Sequence, residues 1–259
     1  MIDPVAFQIG SITVRWYGIL ISMAVLIGLL LTFREAERKG IEQEFFLDLF
    51  IYSIPVAIIG ARLYYVIFSW STYRYNLAKV FSIREGGLAI HGAIIAGLVV
   101  FYLMAKRRQV PFGQVIDTVA PALVLGQAIG RWGNFINQEA YGSVVSKEFI
   151  AYFPSFIQRQ MLINGNYYHP AFLYESVWNF LLFIFLLVIK SKDFIKDGDL
   201  FLFYVIGYSL GRFFIEGIRL DSLMLGPFRV AQLISLLAIL TGGIILYLKH
   251  RKGMGFDAG

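Results

Sequence analysis

Residues 171–189 read AFLYESVWNFLLFIFLLVI, an apolar stretch whose sole charged side chain, Glu175, lies near its start and which Lys190 and Lys192 close. A run of this length meets the ~20 residues that a helix needs to cross the hydrocarbon core of a bilayer. Similar runs, punctuated by charge, recur along the 259-residue chain and predict helices over about 15–33, 45–69, 87–105, 114–131, 171–189, 200–217 and 227–248. The expected fold is therefore all-α: a polytopic membrane protein of about seven spans forming one membrane-embedded domain over 1–259.

Composition agrees. Hydrophobic residues make up 58% of the chain and charged residues 15%, against roughly a quarter charged in a soluble domain. The segment from Trp132 to Pro170 differs: it is rich in Asn, Tyr, Gly and Ser, too broken to span, and is expected to form a small external cap. The first apolar run lacks a preceding basic segment and a small-residue cleavage site, and reads as a retained span. The polar tail 253–259 reads either as disordered or as foreign to the natural chain.

The net charge of +6 does not point to nucleic acid, because the cations sit in short clusters between apolar runs. Arg34, Arg38 and Lys39, then Lys106–Arg108, then Lys190, Lys192 and Lys196, then Lys249, Arg251 and Lys252 fall on one side of a seven-span arrangement. On the other side Arg74, Lys79, Arg84, Lys147, Arg159 and Arg219 are spread thinly over longer segments. Dense cation clusters mark cytoplasmic loops, so the N-terminus is expected outside and the C-terminus in the cytoplasm. The chain has no cysteine, which excludes disulfides and thiolate metal sites. No metal or other cofactor is expected, because no His/Asp/Glu cluster has ligand spacing.

An ionisable group inside a span costs on the order of 2.5–3.5 kcal/mol, so each needs a partner, water or a function. Asp48, Arg62, His91, Asp117, Arg131, Glu175, Arg212 and Glu216 all fall inside or at the ends of predicted spans. Most of them, together with Tyr17, map to the external helix ends, which favours one polar site facing the outer leaflet over a path through the membrane.

The densest group is GRWGNFINQEAYG, Gly130 to Gly142. Arg131 offers a fork that grips phosphate, Asn134 and Asn137 offer neutral hydrogen bonds, and the glycines allow close backbone approach. A helix end with Arg131 reaching to the interface explains the same residues equally well. Tyr208, Arg212, Glu216 and Arg219 are spaced to share one helix face, and Arg212 with Glu216 reads either as an ion pair or as part of an anion site. His91, in EGGLAIHGA, is a candidate base or a hydrogen-bonded scaffold residue. Arg62 reads either as a headgroup ligand or as the partner of a carboxylate such as Asp117.

Taken together, RWYG (15–18), GGLAIHG (86–92), the Gly130–Gly142 stretch, HPAFLYE (169–175), YSLGRFFIE (208–216) and Gln232 resemble the bacterial prolipoprotein diacylglyceryl transferases. The resemblance runs in order over nearly the whole chain. It departs at Ala93, where a third glycine often follows the His, and at Ala171-Phe172, where Ser-Gln is more usual.

The resemblance implies a seven-span enzyme in the bacterial cell membrane. Its reaction would move the diacylglyceryl group of phosphatidylglycerol to the lipobox cysteine of a prolipoprotein signal peptide, releasing glycerol 1-phosphate. It also implies functional roles for Tyr17, His91, Arg131, Asn134, Glu139, Gly142, Tyr208, Arg212 and Glu216. On this reading Arg131 and Arg212 hold the phosphate and His91 takes the thiol proton. The rival readings from the residues alone are a transporter or flippase for an anionic lipid, and a scaffold whose charges only specify packing.

Overall fold

The computed structural model of the chain describes residues 1–82 and 86–252. Helices form at all seven places the sequence marks. They are α1 (Trp16–Arg38), α2 (Gln43–Phe68), α4 (Ile90–Arg108), α5 (Phe112–Asn137), α8 (Ala171–Ile189), α9 (Asp199–Glu216) and α10 (Val230–Lys252). Among the described residues six of these are long and apolar enough to cross a membrane. The exception is α9, whose 18 residues include Asp199, Arg212 and Glu216. The outward side chains of the spans are apolar, with Leu26, Leu30, Ile67 and Leu237 all well exposed. Such surface is unfavourable in water and costs nothing in lipid, so the chain is a multi-pass membrane protein.

By contacts the described chain divides into two compact units, residues 1–32 with 117–252, and residues 33–116. In the smaller unit, α2 and α4 cross closely at two glycines. A Cβ on Gly92 would lie 2.2 Å from the Gly60 carbonyl oxygen, and one on Gly60 would lie 2.7 Å from that of Gly92. Only hydrogen side chains permit this approach. The short α3 (Trp70–Tyr73) and a 3₁₀ turn (Leu77–Phe81) follow α2. Arg84 and Glu85 lie outside the described residues, as does the tail 253–259.

In the larger unit, α8 is the central helix. Leu182, Phe183, Leu186 and Ile189 pack with Val124 of α5 and Leu200 of α9 into one apolar cluster. Gly207 and Gly211 of α9 face Leu182 and Trp178 of α8, and the Trp178 indole N–H donates to the Gly207 carbonyl at 2.9 Å. The four-residue spacing of these glycines thus serves helix packing. Gly126, which shows the same spacing to Gly130, meets only open space. At one end of this unit Asp117 of α5 accepts from the amides of Gly198 and Phe201, at 2.6 and 2.8 Å, which satisfies orphan donors at the start of α9.

The cap is ordered and begins later than expected. α5 continues to Asn137, because the buried Gln160 side chain donates to the Phe135 and Ile136 carbonyls at 3.2 and 3.0 Å and so satisfies the helix end. Beyond it, β3 (Val144–Val145), β5 (Asn166–Tyr168) and β4 (Leu162–Ile163) form an antiparallel sheet in that order, accompanied by α6 (Lys147–Ile150) and α7 (Ser155–Gln160). Phe135, Ile150, Ile157, Met161 and Phe172 make a core of its own beneath it. Two antiparallel hairpins not anticipated from the sequence complete the fold: β1 (Val5–Ile9) with β2 (Ile12–Arg15), and β6 (Met224–Leu225) with β7 (Phe228–Arg229).

Candidate active site

The end of α5, the start of α8 and the end of α9 bring their charged residues onto one carboxylate. Glu175, 4% exposed, forms an ion pair with Arg131 at 2.7 Å through Oε2, and on Oε1 accepts from Arg219 at 3.1 Å and Arg212 at 3.4 Å. The register that allows this is held one residue along α8, where Ser176 takes the Trp132 indole N–H at 3.1 Å and donates to the Ala128 carbonyl at 2.9 Å. Glu216, 2% exposed, lies 2.6 Å from Arg212 as an ion pair without hydrogen-bond alignment at its Oε2. Arg219 also grips Asp221 with two N–H groups, at 2.9 and 2.6 Å. That grip holds the Asp221 carboxyl below the usual carboxylate range. Arg229, at the end of β7, donates to the Glu216 carbonyl.

Arg131 and Arg212 are thus brought together, and each side chain is about one-fifth exposed. Arg131 is further oriented by Asn134 Oδ1 at 3.3 Å. Asn134 and Asn137 both donate to Glu139 Oε1, at 2.8 and 3.4 Å. Glu139 is presented on a strained turn, because Gln138 and Ala140 on either side take left-handed φ angles of 52° and 56°. Gly142 pairs by a bridge with Arg219, and its amide donates to the His169 carbonyl at 3.0 Å. A Cβ there would lie 2.6 Å from that of His169, so glycine is required for the close approach.

Tyr17 sits against Gly133, where a Cβ would come within 2.4 Å of its ring. With Asn137, Tyr17 also lines an open groove of about 860 Å³ along α1, polar at Arg15 and apolar at Met23 and Leu26. Tyr208 packs near Tyr204, their ring centres 6.1 Å apart, and Tyr204 takes the Gln127 amide at 2.9 Å.

The remaining two expected residues belong to the smaller unit. His91 is the second residue of α4 and is exposed rather than buried, its ring 6.0 Å from that of Tyr64. Arg62 is 6% exposed and directs its five N–H groups to the backbone carbonyls of Lys79, Val80, Ser82, Gly86 and Gly87, at 2.5 to 3.3 Å. This leaves no N–H for a headgroup, and Arg62 serves to fold the chain back ahead of α4.

Glu175 was counted in the polar site but given no role, and Arg229 was missed. Glu175 carried a signal, being the lone charge in the most apolar stretch. Arg229 carried none.

Fold and site together define a polytopic helical membrane protein with a partly exposed arginine pair mounted on buried carboxylates. Over residues 4–248 the chain matches the family description Prolipoprotein diacylglyceryl transferase, and it belongs to that family. It is similar to a protein named phosphatidylglycerol–prolipoprotein diacylglyceryl transferase from Clostridium botulinum strain Hall, with 52% identity over 245 residues, 95% of this chain and 96% of the relative. Proteins of the same name from Listeria monocytogenes serotype 4a (52% over 249 residues, 95% and 90%) and Halalkalibacterium halodurans (50% over 259 residues, 99% and 89%) are similar to it as well.

Proposed function

We propose that this protein transfers the diacylglyceryl group of phosphatidylglycerol to the lipobox cysteine of a prolipoprotein signal peptide. The observation that carries this reading is the meeting of Arg131 and Arg212 on one buried carboxylate with donors to spare. Two guanidinium groups with free N–H positions suit a phosphodiester that must gain charge as it leaves.

In the step proposed, a C–S bond forms at the glyceryl carbon and its C–O bond to phosphate breaks. The electron pair goes to the phosphate oxygen, and glycerol 1-phosphate departs. Arg131 and Arg212 neutralise the developing charge, and Glu216 holds the open edge of Arg212 towards it. The thiol proton passes to His91, directly or through water. Glu139, with Asn134 and Asn137, orients the glycerol headgroup, while Tyr17 and Tyr208 border the lipid and Gly142 keeps the cap close to Arg219. The groove along α1, polar at one end and apolar along its length, suits an acyl chain.

The protein acts in the bacterial cell membrane, with the N-terminus and the 138–170 cap outside and the C-terminus in the cytoplasm. Because the chain contains no cysteine, single cysteines introduced at Tyr152 and at His250 report this orientation without background. An impermeant thiol reagent added to whole cells labels the first and not the second.

The activity test uses the full chain in vesicles with phosphatidylglycerol and a lipobox peptide. Release of glycerol phosphate with a peptide gain of one diacylglyceryl group supports the transferase. Lipid translocation without either product supports a flippase instead. Arg131→Ala and Arg212→Ala should each abolish most turnover in folded protein, and normal kinetics from either would refute the phosphate clamp.

A further inference from the structure

Three guanidinium groups from separate parts of the chain, Arg131 on α5, Arg212 on α9 and Arg219 beyond it, point at a carboxylate that no proposed step uses. We propose that Glu175 is a positioning residue that sets the separation of Arg131 and Arg212 and limits how tightly their pocket holds the phosphate product. This inference rests on the transferase reading and names a further residue of the same site.

The geometry is specific. Arg131 lies on Oε2 while Arg212 and Arg219 share Oε1, so each oxygen of the carboxylate holds one of the two proposed phosphate ligands. On Glu175, Arg131 at 2.7 Å lies closer than Arg212 at 3.4 Å, and Arg212 has its shortest contact, 2.6 Å, with Glu216. The rest of the cluster already supplies stability: Arg219 has Asp221, Arg212 has Glu216, and Ser176 fastens α8 to α5 without Glu175.

Charge gives the second half of the role. Glu175 and Glu216 are the two carboxylates buried among these three arginines, since Asp221 is half exposed. Removing the Glu175 charge leaves Arg131 without a carboxylate partner among the described residues and adds one positive charge to the pocket. A phosphate monoester dianion would then bind more tightly and leave more slowly.

The test compares wild type with Glu175→Gln and Glu175→Asp, as full chains in vesicles, with phosphatidylglycerol, a lipobox peptide and added glycerol 1-phosphate. Glu175→Gln should lower kcat by ~10- to 100-fold, as expected of a misplacement of about 1 Å, and strengthen product inhibition several-fold. Glu175→Asp, which keeps the charge but shortens its reach, should lower kcat while leaving product inhibition near wild type. A merely structural residue would not separate these two readouts. Folded Glu175→Gln with wild-type kcat and product inhibition overturns the proposal. Where Glu175→Gln fails to fold, Glu175→Asp decides, and unchanged kcat there overturns it. If the wild-type protein itself releases no glycerol phosphate, the transferase reading fails, and that outcome is distinct from either variant result.

Discussion

Gly133 lies directly against the ring of Tyr17, leaving no room for a methyl group between α5 and the start of α1. Gly133→Ala must therefore push the ring aside. Tyr17 is part exposed and its ring can move, so the stability cost should stay near the low end of the ~1–3 kcal/mol of overpacking. The effect should appear instead as a fall of ~10-fold or more in kcat/KM for phosphatidylglycerol. Wild-type kinetics in Gly133→Ala would remove Tyr17 from the site.

His91 is exposed and makes no hydrogen bond among the described residues, so its replacement should leave folding almost untouched, within about 0.5 kcal/mol. If it is the base, His91→Gln loses ~10²–10⁴-fold in turnover while binding of phosphatidylglycerol is retained. Near-normal turnover in the folded variant rules out the general-base role.

Arg62 should behave in the opposite way. Its loss strips five backbone carbonyls of their donor at once, and each buried acceptor left unpaired costs about 1–3 kcal/mol. Arg62→Ala should fail to accumulate as folded protein. Arg62→Lys should rescue little, since an ammonium has three donors on one nitrogen and cannot span the same carbonyls. A thermal-unfolding comparison in detergent checks both, and a stable, inactive Arg62→Lys would restore the headgroup reading.

His169, in the cap, is partly buried beside Phe149, and burial pushes its imidazole below the usual value of ~6.5. The folded cap then binds fewer protons than the unfolded chain in that interval. Its stabilising contribution is complete above ~6.5 and is lost as pH falls from there towards the lower folded value. Protection of the β5 amides, taken relative to their intrinsic exchange rates, should fall between pH 7 and 5, and His169→Gln should flatten that dependence. An unchanged pH profile in the variant would assign the sensitivity elsewhere.

Helix packing offers a further check. Gly211→Ala puts a methyl 2.3 Å from the Trp178 ring, on a helix face where Gly207 is equally tight against Leu182. It should cost ~1–3 kcal/mol and separate α9 from α8, whereas Gly126→Ala, facing open space, should be close to neutral.

The seven helices were legible because each is a long apolar run, and lipid as solvent imposes that composition segment by segment. Arg131, Arg212 and Glu216 stood out for the same reason, since charge in such a run is costly unless used. The hairpins were not legible: β6 and β7 have two residues each, too short for an alternating pattern to register. The last turns of α5 were read as cap because Trp132–Asn137 is polar, whereas the side chain that sustains them, Gln160, comes 23 residues later.

Local composition, then, was enough to determine which segments enter the membrane and which side chains are out of place there, because the cost of a charge in lipid depends only on its own segment. That Glu175 holds three arginines while Arg62 directs its N–H groups to backbone carbonyls was decided by tertiary structure alone. Partner choice depends on which atoms of distant helices arrive within about 3 Å, and that distance is a product of packing.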